Sequence, residues 1–179
     1  MTQDTNLQFE QALATCRAIF AAKLKDYGAS WRIMRPCSIT DQIFIKAKRI
    51  RSIETKQCTR VGDGILPEFM AIVNYGLIGL IQLSCPLTDS IDMTPDEALT
   101  LYDRYASDAF ELMKRKNHDY DEAWRLMRVS SYTDFILCKV ERVKEIEHHQ
   151  GETSVSEGID SNYFDIINYA LFGVIKFSD

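Results

Sequence analysis

The sequence predicts an all-α protein: two tandem three-helix repeats packed as one helical bundle about a pseudo-twofold axis. Three observations predict it. Asp26-Tyr27, Trp31-Arg32 and Met34-Arg35 return as Asp119-Tyr120, Trp124-Arg125 and Met127-Arg128 with the same internal spacing, 93 residues later. A fixed-offset repeat of this kind marks a duplicated structural unit. Apolar residues recur at spacings of three and four along most of the chain, which is the period of a buried helix face. No alternating stretch is bounded by hairpin turns, so no strand is needed. Three short helices bury little apolar surface alone, so the two halves must share a core.

The match continues beyond that stretch. Ser38, Thr40, Asp41, Lys46, Arg49, Ile53 and Glu54 correspond to Ser131, Thr133, Asp134, Lys139, Arg142, Ile146 and Glu147. After a one-residue length difference, Asn74-Tyr75, Leu77 and Gly79 correspond to Asn168-Tyr169, Leu171 and Gly173. A purely structural duplication needs only its core pattern kept. Retained Asp, Lys, Arg and Asn therefore point to a polar site in each half. The boundaries that follow are residues 1–84 for the first repeat, 85–93 for a linker and 94–179 for the second, within one compact domain.

Taken in order, the first helix is expected from about Thr5 to about Lys25, with Phe9, Leu13, Cys16, Phe20 and Leu24 on one face. Gly28 and Pro36 punctuate the next segment. Ser38-x-x-Asp41 reads as a helix start, followed by Ile43, Ala47, Ile50 and Ile53. Residues 54–63 read as a loop. Pro67 suits the first turn of a third helix carrying Phe69, Ile72, Val73, Leu77 and Leu80. Thr94-Pro95-Asp96-Glu97 has the form of a capping box and opens a fourth helix to about Lys116, with Ala98, Leu101, Tyr105 and Leu112 expected to face inward. Ser131-x-x-Asp134 repeats the earlier start signal, and a fifth helix carries Ile136, Val140, Val143 and Ile146. Residues 148–156 read as a loop, and a sixth helix runs from about Ser161 to Phe177.

The hydrophobic fraction of 46% is that of an ordinary globular chain. The net charge of −5 argues against a general nucleic-acid binder, which shows a basic balance. Five scattered cysteines without metal spacing read as reduced thiols in a cytoplasm. The polar start lacks a signal-peptide core, and no apolar run reads as long enough to span a bilayer.

Several residue groups are candidates for chemistry. Lys46-x-x-Arg49 and Lys139-x-x-Arg142 each place two cations on one helix face. Two such pairs related by a pseudo-twofold suit a phosphate; the alternative is a solvated face paired to Glu54, Glu141, Glu145 or Glu147. Asn74 and Asn168 lie inside greasy helices, where an Asn requires a partner. They either fix the register between halves or hydrogen-bond a base or sugar. Asp26, Tyr27, Trp31 and Arg35, with Asp119, Tyr120, Trp124 and Arg128, either plug the bundle ends or stack a base and hold its phosphates. Asp41 and Asp134 read as caps. His118, His148 and His149 lack ligand spacing and read as solvated.

Lys-Asp-Tyr-Gly, Trp-Arg-Ile-Met-Arg-Pro, Asp-Gln-Ile-Phe-Ile-Lys-Ala-Lys-Arg-Ile and Asn-Tyr-Gly together resemble the duplicated bacterial family called nucleotide modification associated domain 1. The resemblance spans nearly the whole chain and implies a nucleotide context. A wider one is to MazG-like all-α nucleoside triphosphate pyrophosphohydrolases, some of which carry Asp-Leu-x-Asn-Tyr on the last helix. Asp165-Ile-Ile-Asn168-Tyr169 is similar to that motif; Ala71-Ile-Val-Asn74-Tyr75 matches it without the acid. This resemblance implies a MazG-like fold and Mg²⁺-dependent hydrolysis between α- and β-phosphates. Those enzymes bind magnesium through paired acids on two helices. Here Lys46-x-x-Arg49 and Lys139-x-x-Arg142 stand at the first pair, and only Glu68 and Asp165 survive of the second. Glu68 and Asp165 are therefore the expected catalytic and metal-holding pair, sharing one ion across the halves, with Glu157 or Asp160 as further donors. A nucleotide-binding or scaffold module that kept the fold without the metal is the rival reading. The expected partner is a nucleotide or nucleotide-like small molecule, with homo-oligomerisation allowed and neither a membrane nor general nucleic acid expected.

Overall fold

A computed structural model describes residues 4–57, 64–150 and 157–178. The α-helices are α1 (Thr5–Tyr27), α2 (Pro36–Lys56), α3 (Ile65–Ser84), α4 (Pro95–Tyr120), α5 (Val129–His148) and α6 (Ile159–Ser178). A single 3-10 turn follows the first helix of each half, at Ser30–Ile33 and Ala123–Leu126. Each half thus has the same element order, as the repeat requires.

The outer helices are amphipathic. Phe9, Ala12, Cys16, Phe20 and Leu24 of α1, and Ala98, Tyr102, Ala106, Ala109 and Met113 of α4, are buried at helical spacing; Leu101, Tyr105 and Leu112, expected to face inward, flank that α4 face and are only half-buried. In α3 and α6 burial runs nearly all round, which marks them as the central pair. They pack antiparallel and closely, because glycines meet rings. A Cβ on Gly79 would lie 2.8 Å from Tyr163 Cζ, and one on Gly173 would lie 2.8 Å from Phe69 Cδ1. Gly79 and Gly173 are repeat equivalents, as are Phe69 and Tyr163. The same reciprocity joins α2 to α5: Thr40 Oγ1 donates to Glu147 at 2.7 Å, and Thr133 Oγ1 donates to Glu54 at 3.2 Å. A pseudo-twofold relation is the only arrangement that makes each contact recur with the halves exchanged.

Three expectations are corrected. The Ser38 and Ser131 signals do not start helices. Helix α2 begins at Pro36 and α5 at Val129, with no side-chain cap on either. Proline at the first position already sets helical φ for α2, so Ser38 lies inside the first turn. Asp134, expected as a cap, instead pairs with Arg51 at 2.6 Å. Both helices also run further than expected, to Lys56 and His148; most of the loops placed at 54–63 and 148–156, with Cys58, lies outside the described residues. Finally, α3 is long and apolar enough, by length and composition, to cross a membrane, with a hydropathy of 1.4. It is the bundle's central helix, and 67% of that window is buried inside the protein. The Thr94 capping box is present in both directions, Thr94 N to Glu97 Oε2 at 2.8 Å and Glu97 N to Thr94 Oγ1 at 3.2 Å. The described cysteines, Cys16, Cys37, Cys85 and Cys138, are free.

Candidate functional site

Each half encloses a cavity between the end of its first helix, its 3-10 turn and its last helix. The first, about 480 Å³, is walled by Lys23, Tyr27, Trp31, Met34, Asn74 and Tyr75, with Ala71 and Ile78 beside them. The second, about 500 Å³, is walled by Lys116, Tyr120, Trp124, Met127, Asn168 and Tyr169, with Asp165 and Phe172 in the equivalent places. The two sets are repeat partners position by position. The sequence repeat is therefore also a repeat of the site.

The helix ends position these walls. In the first half α1 stops at Gly28, whose φ of 66° and ψ of −164° suit glycine alone. In the second, Asp121 and Glu122 take left-handed φ values of 47° and 57°. Both breaks turn the chain so that a tryptophan re-enters the bundle, Trp31 at 7% exposure and Trp124 at 5%. The arginines beside them act as struts. Arg32 is buried and donates to Gln82, to Asp92 Oδ1 at 2.8 Å and to Pro86 O at 2.8 Å, which clamps the linker. Arg125 holds Glu122, Thr5 Oγ1 and Gln8 Oε1, which ties the start of α1 to the second half.

The expected ligand-binding residues divide. Tyr27, Trp31, Asn74, Tyr120, Trp124 and Asn168 line the cavities. Asp26 and Asp119 lie exposed at the helix ends, outside both cavity walls, and Asp119 faces His118 at 3.3 Å. Arg35 reaches the linker at Asp89, 2.6 Å away, and Arg128 is exposed. The cation pairs take neither partner set expected for a solvated face. Lys46 lies 3.6 Å from Glu68 and Arg49 donates to the same carboxylate. Lys139 lies 2.7 Å from Asp165, and Lys116 lies 2.5 Å from its other oxygen. Arg142 is exposed and carries no ion pair among the described residues. Burial pushes the Asp165 carboxyl up, but hydrogen bonds from Lys116 and Lys139 hold it below the ordinary carboxylate range.

Glu68 and Asp165 do not meet. Gly76 faces Ile167, Gly79 faces Tyr163 and Gly173 faces Phe69, so Asp165 lies opposite the middle of α3. Glu68 is about nine residues nearer the start of that helix, or about 14 Å at 1.5 Å per residue. Each carboxylate is held by two cations of its own half. Magnesium takes several oxygens in octahedral array, and among the described residues no group of three or more His, Cys, Asp or Glu gathers. This donor set does not fit one shared ion, and Glu157 and Asp160 complete no such group with either carboxylate among the described residues.

The two asparagines have different surroundings. Asn74 Nδ2 donates to Cys16 O at 3.1 Å, and its Oδ1 accepts from Tyr102 Oη at 2.8 Å. Asn168 Nδ2 donates to Ala109 O at 3.2 Å, the repeat equivalent, but its buried Oδ1 has no partner. Trp124 Nε1 and Asn117 Oδ1, on residues that line the second cavity, are also buried without one. Sequence reasoning missed Lys23, Lys116 and Asn117. The two lysines were readable, since they stand at the repeat offset three residues before the Asp-Tyr pair.

Fold and site together define a class: an all-α, internally duplicated protein with one aromatic-walled cavity per half. The profile of the nucleotide modification associated domain 1 family matches residues 23–83 and again 116–177, and the chain belongs to that family. No curated protein and no solved structure matches it.

Proposed function

We propose that the protein binds a nucleotide, its ring between the aromatic walls of a cavity and its phosphates on the cations at the mouth. The observation that carries this reading is the repeat-related pair of cavities, apolar and aromatic within and lysine-bearing at the rim, in a chain of a nucleotide-associated family. Ligand pockets combine apolar walls with a few convergent polar groups in this way. In the second half Lys116 and Lys139 share the single carboxylate of Asp165, beside the cavity that Lys116 and Asp165 line. The chain is read as a binding module, because Glu68 and Asp165, the acids expected to hold a metal, are already paired with lysine and arginine.

Calorimetry with nucleoside mono- and triphosphates tests the proposal. Lys139→Ala and Arg142→Ala are each expected to weaken phosphate-bearing ligands by about 1–3 kcal/mol, the scale of a charged hydrogen bond. Unchanged affinity in both variants would return these residues to a structural role. The hydrolase reading keeps one supporting observation, the Asp165-Ile-Ile-Asn168-Tyr169 run on α6. Asp165→Asn separates the two. In a binding module it frees Lys116 and Lys139 and strengthens phosphate binding; in a magnesium hydrolase it abolishes pyrophosphate release.

A further inference from the structure

The two cavities share a frame but differ in where the acid stands. In the second half Asp165 is part of the cavity wall, and it gives one oxygen to each of two lysines. Oδ1 meets Lys116 of α4 at 2.5 Å, and Oδ2 meets Lys139 of α5 at 2.7 Å. A carboxylate is a small oxyanion, so this half displays an oxyanion seat that its own chain fills. The repeat equivalents of Lys116, Lys139 and Asp165 are Lys23, Lys46 and Ala71. The pseudo-twofold that repeats the helices repeats the seat, but Ala71 brings no carboxylate to it.

The cations of the first half are correspondingly less committed. Lys23 lines the first cavity with Ala71 and is exposed, and its side chain carries no ion pair or hydrogen bond among the described residues. Lys46 stands 3.6 Å from Glu68 Oε2, beyond hydrogen-bond length, and that oxygen is buried without a hydrogen bond. Arg49 holds the other Glu68 oxygen. Glu68 precedes Ala71 by one helical turn, so the two positions are neighbours on one face of α3. An oxyanion over Ala71 is therefore within reach of the same Lys46 side chain. The equivalent of Glu68 in the second half is Asn162, which donates to Gly158 O at 2.9 Å. Between the halves the acid has moved by one turn, out of the cavity wall at Glu68 and into it at Asp165.

We infer that the first-half cavity carries an open oxyanion seat over Ala71, between Lys23 and Lys46, which takes the phosphate end of the nucleotide proposed above. The ring then rests on the aromatic walls of the same cavity, Tyr27, Trp31 and Tyr75. A phosphate monoester carries a charge of about −1.5 to −2 at neutral pH, which two lysines match. In the second cavity Asp165 competes for the same place. A phosphate there meets only the charge that Lys116, Lys139 and Arg142 hold beyond that carboxylate, so the chain has one tight and one weak site.

The two tryptophans of the sequence lie one in each cavity, so Trp124→Phe leaves Trp31 as a reporter of the first alone. Fluorescence of that variant is titrated with the four common nucleoside 5′-monophosphates and with the matching nucleosides. The best-binding monophosphate is expected to lead its nucleoside by about tenfold, the weight of about one charged hydrogen bond. Ala71→Asp, added to this variant, gives the first half the carboxylate of the second. It should erase that lead without lowering the melting temperature, since Lys23 and Lys46 would then be met from within. Lys23→Ala, at an exposed rim position, should shrink the lead about fivefold. A monophosphate that binds no better than its nucleoside, or a lead that survives either substitution, would overturn the inference. The seat depends on the nucleotide reading, but the two fail differently. Nucleotides that bind by calorimetry without moving Trp31, or with full affinity in Ala71→Asp, sink the first-half seat alone; no binding by any nucleotide removes both.

Discussion

Asp165→Asn is the substitution whose consequences the structure constrains most tightly. It keeps the side chain's shape and one acceptor oxygen and removes the charge between Lys116 Nζ at 2.5 Å and Lys139 Nζ at 2.7 Å. Charged hydrogen bonds contribute about 1.5–3 kcal/mol each, which bounds the loss at about 3–6 kcal/mol. Lys116 is 49% exposed, so solvent screening reduces its share to about 0.2–1 kcal/mol. Lys139 is only 17% exposed and keeps most of its share. The expected cost is therefore about 2–3 kcal/mol, or about 5–10 °C in Tm for a chain of this size. The pH window follows from the depressed carboxyl. As pH falls, the unfolded chain takes up this proton first. The stabilisation is thus complete above the unfolded value of about 4 and is lost as pH falls through the folded one. Urea unfolding followed by circular dichroism, on both proteins from pH 7 downward, reads this directly. The gap between wild type and variant should be full at pH 7 and narrow below pH 4. Equal midpoints at pH 7, or a gap that does not change with pH, would refute the pairing argument.

Two other outcomes follow from the reciprocal contacts. Gly79→Ala drives a methyl into the Tyr163 ring, whose hydroxyl bonds Thr40 at 2.8 Å, so it should cost about 2–4 kcal/mol. Gly173→Ala meets Phe69, which has no such bond, and should cost about 1–3 kcal/mol; equal losses in chemical denaturation would remove the role given to the Tyr163 hydroxyl. Burial pushes the Glu147 carboxyl up, against the Thr40 hydrogen bond that lowers it. The folded state then holds the proton more tightly, and stability falls as pH rises through that raised value. Glu147→Gln should raise the melting temperature at pH 7 and have no such effect below pH 4; a lowered melting temperature at pH 7 would contradict it.

The repeat, the helix order and the Asn-Tyr positions were legible because they depend on periodicity and on duplication, both local or self-referential signals. The caps at Ser38 and Ser131 misled because a Ser-x-x-Asp run is common, and here the chain was helical before it. The fate of Lys46, Arg49 and Lys139 was illegible from spacing. Which acid a lysine meets depends on how neighbouring helices cross, and Glu68 and Asp165 lie on different helices from the cations they hold. Asn168's empty acceptor had a readable trace: Phe9 stands at the repeat offset from Tyr102. That trace is faint, because the recognisable repeat begins only at Asp26, near the end of α1. Trp124's unpaired nitrogen had no trace, since burial of one ring atom is set by packing alone.

The pairing of Gly79 with Tyr163 and of Gly173 with Phe69 bears on how such a chain can change. In a homodimer of identical subunits every mutation appears twice, so no site can be altered on one side only. Joining the two copies into one polypeptide lifts that restriction wherever neighbours permit. Along the α3 and α6 seam they do not: each glycine answers to a ring on the opposite copy, and a larger residue is rejected on either side. In the cavities they do, as Ala71 against Asp165 and Ile78 against Phe172 show. Covalent fusion here separates the part of the molecule that must stay even-handed from the part that is free to specialise.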